Sequence, residues 1–354
     1  MYLRSLFLQN FRNSDERDFT FSPKINLICG PNAQGKTTLL EAIYFMMLGR
    51  SFRTPQQSDM IKVGGSSFCI ESLFNKYGID QKLRIIADSK SKKIIHNSTV
   101  LNNTSNLIGL IQGILMTPDD VNLIKSSPSG RRQFIDFFIA QMDPLYVHHL
   151  SRYAKAMRQR NYLLKQKKLS TIDIWEHEMA QAAGYIIKKR KQALLHLIPP
   201  SQQFYAYLTE EREQLNIKYL TIAENPENED EIKEFMKMTF QKNRMKEMRL
   251  GFTLAGPHKD DLWIGIGDQE ARFFASEGQQ RSCVIALQIG AWKNLKQNSE
   301  DIPLLMIDDV GMSLDQNRKT KLLQQLSDLG QVFLTTTDSN LLDFYEGEKK
   351  IIRL

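Results

Sequence analysis

The chain has 354 residues, 42% of them hydrophobic and 25% charged, with a formal charge of +7. That is enough for a layered core with a smaller attached subdomain, and no apolar run reaches the roughly 18 residues of a membrane span, which argues against an embedded role. The positive balance favours a polyanionic partner, since neutralising phosphates releases condensed counterions, and Cys29, Cys69 and Cys283 match neither a zinc nor a disulfide spacing, which points to the reducing cytoplasm.

In chain order, Tyr2 to Leu8 alternates as a first strand, Ile25 to Cys29 is an apolar strand, and Thr37 to Leu48 has helical periodicity. Short β-branched stretches, Ser67 to Phe74, Leu83 to Ala87 and Lys93 to His96, are separated by turn-forming residues and predict an antiparallel β lobe. Long Lys-, Arg-, Gln- and Glu-rich helical segments follow from Arg131 to about Lys246, interrupted at Pro144, at Pro199-Pro200 and at the acidic loop from Glu224 to Asp230. The last hundred residues return to α/β, with helices from Gln279 to Leu295 and Arg318 to Leu329 and strands at Leu304 to Ile307 and Val332 to Thr335. The expected organisation is an α/β head in two pieces, 1–130 and 247–354, around a helical arm at 131–246.

Gly30-Pro31-Asn32-Ala33-Gln34-Gly35-Lys36-Thr37 fits G-x-x-x-x-G-K-[ST] between a strand and a helix. Backbone N–H groups of such a loop surround phosphate oxygens, Lys36 brings a point charge to the β and γ phosphates, Thr37 offers a hydroxyl to Mg²⁺, and Thr38 can bond the α-phosphate. The pattern therefore predicts ATP and Mg²⁺. The strand Leu304 to Ile307 ends in Asp308 and Asp309, carboxylates placed to hold Mg²⁺ through water and to polarise an attacking water respectively.

Lys36 and Asp308 are about 270 residues apart, whereas small P-loop switches separate these groups by tens. That is the arrangement of ABC-type heads. Ser276-Glu277-Gly278-Gln279-Gln280-Arg281 precedes a helix in the manner of a signature loop, which in such heads faces the γ-phosphate held by a second subunit; Ser313-Leu314-Asp315 matches the loop that crosses that interface. Thr335-Thr336-Thr337 stands where other ABC heads carry a switch histidine.

With these motifs in order, the chain resembles the RecF family over essentially its whole length. The resemblance is carried by Asn10-Phe-Arg12, Gly30 to Thr37 with Leu40-Glu-Ala-Ile43, and Gly49-Arg-Ser-Phe-Arg53. It continues through Thr117-Pro-Asp-Asp-Val121, Ser127 to Arg132, Gly256-Pro-His-Lys-Asp-Asp261, Ser276 to Arg281, Asp308-Asp309 and Leu314-Asp315. Lys259 replaces an expected arginine, Gly311-Met312 replaces a bulkier pair, and no glutamine is assigned as the sensor that ABC heads carry. The resemblance implies an ABC/SMC-type head that dimerises on ATP, binds DNA near single-strand/double-strand junctions, hydrolyses ATP slowly, and helps RecO and RecR load RecA at gaps in replication-fork recovery and the SOS response. Arg12 is a further candidate for the nucleotide, and Arg50, Arg53, Arg131, Arg132, Arg152, Lys155 and Arg158 are candidates for DNA phosphates, with no base-reading element in sight. A transport motor subunit and a scaffold with a vestigial ATPase are the competing readings.

Overall fold

The computed structural model describes residues 1–310, 315–343 and 345–354. The elements begin with β1 (Tyr2–Phe11), β2 (Ser14–Thr20), β3 (Ile25–Cys29), α1 (Lys36–Leu48), β4 (Ser67–Lys76), β5 (Ile79–Asp88), β6 (Lys92–His96), β7 (Thr99–Leu101) and β8 (Gly113–Met116). Next come α2 (Asn122–Lys125), α3 (Pro128–Ala140), α4 (Pro144–Lys165), α5 (Ile172–Thr209), β9 (Leu215–Leu220), α6 (Glu229–Leu250), β10 (Asp261–Ile266), β11 (Gln269–Glu270) and α7 (Ala271–Phe274). The chain closes with α8 (Glu277–Gln297), β12 (Leu304–Ile307), α9 (Gln316–Gln324), β13 (Val332–Thr336) and β14 (Lys349–Arg353).

Two compact units result. The first comprises Met1–Val121, Gln203–Arg212 and Ser276–Leu354, and the second Asn122–Gln202 and Glu213–Ala275. The division thus falls at 121 and 275 rather than at the 130 and 246 read from the sequence. The reason is strand pairing: β9 pairs antiparallel with β10, Leu215 opposite Ile266 and Leu220 opposite Asp261, so the segment after 246 belongs with the helices. The sequence reading had no strand at 215–220.

Within the first unit, a six-stranded sheet runs β2-β1-β4-β5-β6-β7 and a five-stranded sheet runs β14-β3-β13-β12-β8. All four pairings of the second sheet are parallel. Parallel strands covered on both faces carry unbroken apolar runs, and every residue of Ile25–Cys29 and Leu304–Ile307 is buried. Residues of α1 share one core with both sheets. Ten of the thirteen positions of α1 are buried, as expected for a helix that is apolar all round. Phe45 of α1 meets Phe68 of β4 edge to face at 5.5 Å, and Phe68 meets Phe11 of β1 at 5.2 Å.

In the second unit α4, α5 and α6 pack around buried ion pairs. Asp143 caps α4 by accepting from the Leu145 N–H at 3.0 Å, with Pro144 in the first turn, so the predicted break at Pro144 is a helix start. The predicted interruption at Pro199-Pro200 does not occur: α5 runs through both prolines. These prolines free the carbonyls of Leu195 and His196, residues on the exposed side, while Ala193, Leu194 and Leu197 are buried. Water can satisfy the freed carbonyls, and packing of the apolar side outweighs the local cost.

Candidate functional site

The nucleotide loop is built by the parallel sheet. Buried β3 delivers the chain into Gly30, and Gly35 stands at the N-cap of α1 with φ 100°, a left-handed conformation, as is Ala33 with φ 66°. These turns draw successive N–H groups toward one point. No side chain caps α1, so its first N–H groups remain donors for an anion. Pro31, Asn32, Ala33 and Gln34 are exposed, and Thr38 is 7% exposed. Lys36 Nζ donates to the carbonyls of Gly30 at 2.7 Å and Pro31 at 2.9 Å, which holds the ammonium at the rim of the loop.

Sheet order explains how the distant carboxylates arrive. β13 lies between β3 and β12, so the ends of the three strands share one edge. Thr37 Oγ1 donates to Asp308 Oδ1 at 3.1 Å and Oδ2 at 3.0 Å. At the end of β13, Thr335 Oγ1 donates to Asp308 Oδ1 at 2.5 Å and accepts from the Asp309 N–H at 2.8 Å. A hydroxyl and a carboxylate brought together are hard oxygen ligands that fit Mg²⁺, an ion that keeps several waters and shares itself with substrate phosphates. Asp309 adopts φ 53°. Burial and then the neighbouring charge of Asp308 push its carboxyl above the ordinary aspartate value, while Lys36 pulls it down.

Ser276 is the N-cap of α8: its Oγ accepts from the Gln279 N–H at 3.3 Å, and its own N–H donates to Gln279 Oε1 at 2.8 Å. This reciprocal capping fixes the turn. An added Cβ on Gly278 would lie 3.4 Å from the Arg318 guanidinium. Arg318 in turn pairs with Asp315 at 3.4 Å and donates its N–H to that carboxylate at 2.9 Å. The signature turn and the residue expected at a subunit crossing are therefore neighbours; Ser313 and Leu314 lie outside the described residues.

Several candidate residues are placed differently from expectation. Arg12, expected at the nucleotide, is turned onto Glu41, donating at 2.9 and 2.5 Å, and onto the Asp59 carbonyl at 2.6 Å. Glu41 is fully buried and also holds Arg53 at 3.3 Å. A buried carboxylate requires such partners, which ties both arginines to the core of the head. Arg50 is half-buried beside Tyr44. Arg131, expected at DNA, is 5% exposed and forked onto Asp261 at 2.7 and 3.0 Å, so it is a structural residue of the second unit. Arg132 donates to the Asp260 carbonyl at 2.7 Å, and Arg152 is forked onto Glu178 at 2.6 and 2.9 Å. Lys155 and Arg158 remain exposed.

The buried network of the second unit was not foreseen. Arg190, within the basic run Lys188 to Lys191, is 2% exposed and bonds Asp136, Asp260 and the Pro257 carbonyl. Tyr146 donates to Asp136 at 2.5 Å, and Tyr219 bonds Asp260. His258 sits against Tyr153 Oη at 2.7 Å, its pKa lowered to about 4 chiefly by burial, so it is neutral and structural. At the nucleotide loop, Thr335, singled out in the sequence only as standing in the place of a switch histidine, is a carboxylate clamp, and the overlooked residue is Asn13, whose side chain stands beside Gly35. Only the strand order brings Thr335 to Asp308.

The chain matches the family model described as RecF/RecN/SMC N terminal domain over residues 2–353. It is similar to the DNA replication and repair protein RecF of Protochlamydia amoebophila, at 54% identity across 100% of this chain and 99% of that protein. A solved structure of the recombination mediator protein RecF with ATP, in the RecFOR pathway, superposes with a TM-score of 0.89 at 30% identity, over 96% of this chain and 93% of that one. An SMC head bound to the C-terminal winged helix domain of ScpA shares the fold, with a TM-score of 0.58 at 17% identity over 97% and 91% of the two chains. Loop, capped signature turn and carboxylates follow one another in this chain, the family model and the RecF relative match it over essentially its whole length, and the chain belongs to the RecF family.

Proposed function

We propose that this chain is an ATP-gated DNA-binding repair factor. It dimerises on ATP, binds DNA near single-strand/double-strand junctions, and works with RecO- and RecR-type partners to load RecA at gaps, hydrolysing ATP slowly as a release timer. The observation that carries this reading is the convergence of Thr37, Asp308, Asp309 and Thr335 at one end of three adjacent strands, beside a loop and helix start with free N–H donors. The names of the similar proteins, which speak of DNA replication and repair, of ATP and of the RecFOR pathway, support the biological setting.

The chemistry follows from the residues. Backbone N–H groups of the loop and Lys36 bind and orient the β and γ phosphates. Thr37 and Asp308 would hold Mg²⁺, which when bound neutralises charge building on the phosphate oxygens. Asp309, its proton affinity raised, orients the attacking water and takes its proton. Ser276 and the N-terminus of α8 supply donors to the γ-phosphate of a second copy, so two chains complete one site.

Thr335→Val keeps the side-chain volume but strips Asp308 of a donor and the Asp309 N–H of its acceptor. Steady-state ATP hydrolysis is expected to fall roughly 10- to 100-fold, the usual effect of removing a group that orients a metal ligand. A rate within twofold of the parent would remove Thr335 from the mechanism.

Sedimentation of the chain with gapped duplex DNA tests the whole reading. In ATP a large complex is expected whose affinity falls steeply with salt, and in ADP only free species. Identical boundaries in the two nucleotides would refute ATP gating.

A further inference from the structure

We infer that the groove between α4 and α6 of the second unit is a binding track for a nucleic-acid phosphate backbone, an inference that rests on the DNA-binding reading above and gives it a place on the molecule. Charge is segregated along this unit. No Asp or Glu occurs from Pro144 to Ile172, and Glu247 is the sole carboxylate from Phe235 to Lys259. The carboxylates that approach these helices are already committed. Glu176 and Glu247 hold the fully buried Arg160, Glu178 holds Arg152, and Asp173 holds Arg244. Lys155, Arg158 and Lys165 on α4 and Lys242, Lys246 and Arg249 on α6 are all exposed, and none has a carboxylate partner among the described residues.

The two rows border one line of packing. Arg160 Nη2 donates to the Phe240 carbonyl at 3.1 Å, and Lys165 lies against Gly251, so α4 and α6 run in the same direction and end together. Asn161 accepts from the Thr253 N–H just past the end of α6, which turns the side of α4 bearing Arg158 and Lys165 toward that helix. On α6, Arg244 reaches Asp173 and Glu176 of α5, which puts Lys242, Lys246 and Arg249 on the other side. Packed helices lie about 8–10 Å apart, and the ten residues from Lys155 to Lys165 rise about 15 Å.

Compensating a helix C-terminus needs a cation only in the last turn. Here the rows extend further back, and Lys155 with Arg158, Lys242 with Lys246, and Lys246 with Arg249 are like charges three or four residues apart, a spacing that weakens an isolated helix. Among the described residues no carboxylate pairs with these cations to offset this repulsion. A ligand with charges repeated over a similar length does, and a sugar-phosphate chain laid in the groove meets cations from both sides. Tyr162, 60% exposed and between Arg158 and Lys165 in sequence, offers a ring face to a sugar or base. With neither an acidic partner nor a base-reading element on the track, contact is to phosphate and independent of base identity.

The test neutralises Arg158→Gln, Lys165→Gln, Lys242→Gln and Lys246→Gln together in the full chain. The control with equal charge change is Arg17→Gln, Lys24→Gln, Lys90→Gln and Lys93→Gln, four exposed cations of the first unit. Affinity for a fluorescent gapped duplex is measured in ATP from about 50 to 300 mM KCl. The track variant is expected to lose about three units of the log–log salt slope and at least ~100-fold in affinity near 0.1 M. The control should match the parent in slope, and both variants should keep the parent's ATP hydrolysis without DNA. A charge-preserving variant, Lys165→Arg with Lys242→Arg and Lys246→Arg, should bind as the parent does, which separates charge from folding. Equal slopes for the track variant and the parent overturn the placement. So does poly-glutamate binding that the track substitutions abolish while DNA affinity stays intact, which would make the groove a dock for an acidic protein. Absence of salt-dependent DNA binding by the parent in ATP overturns the DNA-binding reading itself.

Discussion

A mixture of two variants that are each inactive is expected to hydrolyse ATP. Lys36→Arg changes the ammonium that the Gly30 and Pro31 carbonyls now hold at the loop. Ser276→Arg leaves that loop intact but removes the hydroxyl that caps α8 and sets a bulky cation on the turn. Each alone should lose roughly 100-fold or more in rate, the scale on which a positioned transition-state donor acts. In an equal mixture, half of the dimers are mixed, and one of their two sites joins an intact Lys36 loop to an intact Ser276 turn. Recovery of about a quarter of the parent rate is therefore expected for a two-fold symmetric dimer. Adding ATP to the mixed chains and following phosphate release gives the answer; heterodimers detected by cross-linking without any recovery would show that the site is not shared.

How much of this was legible in sequence depended on whether a feature was local. The strands Ile25–Cys29 and Leu304–Ile307 were found at their observed ends because a buried parallel strand has no polar alternation to blur its limits. The loop from Gly30 to Thr37 was legible because strand, glycines and helix are consecutive. The clamp that Thr335 forms on Asp308 was not, since that contact depends on β13 lying between β3 and β12, a fact of sheet order. The basic residues of the arm show the same limit more sharply. Arg131, Arg160 and Arg190 look like Lys155 and Arg158 in a charge pattern, yet the first three are buried against Asp261, Glu176 and Asp136 and the last two are exposed. Partners distant in sequence decided which cations face water. Pro199-Pro200 reversed a strong local signal, because the cost of two lost N–H donors on an exposed helix side is smaller than that of unpacking the opposite side.

Arg160→Met should destabilise the second unit by about 3–5 kcal/mol, the cost of stranding buried carboxylates without their cation. Arg160 is fully buried, pairs with Glu176 at 2.9 Å and Glu247 at 2.6 Å, and donates to Thr253 Oγ1 at 2.9 Å and the Phe240 carbonyl. The two acids are not equally exposed to its loss. Glu176 keeps Arg244, whereas among the described residues Glu247 retains only the Leu254 N–H at 2.6 Å. Most of the penalty therefore belongs to Glu247, and Arg160→Met combined with Glu247→Leu should recover the larger part of it, because replacing a whole buried pair by apolar groups is near neutral. Urea unfolding followed by tryptophan fluorescence in a Trp292→Phe background reads this directly, since the remaining reporters, Trp175 and Trp263, both lie in the second unit. A double variant no more stable than Arg160→Met would mean that Arg160 acts through its bonds to Thr253 and Phe240 rather than by neutralising Glu247. In that case the order of the α4–α6 packing, and with it the alignment of the two basic rows, would rest on neutral hydrogen bonds instead of charge.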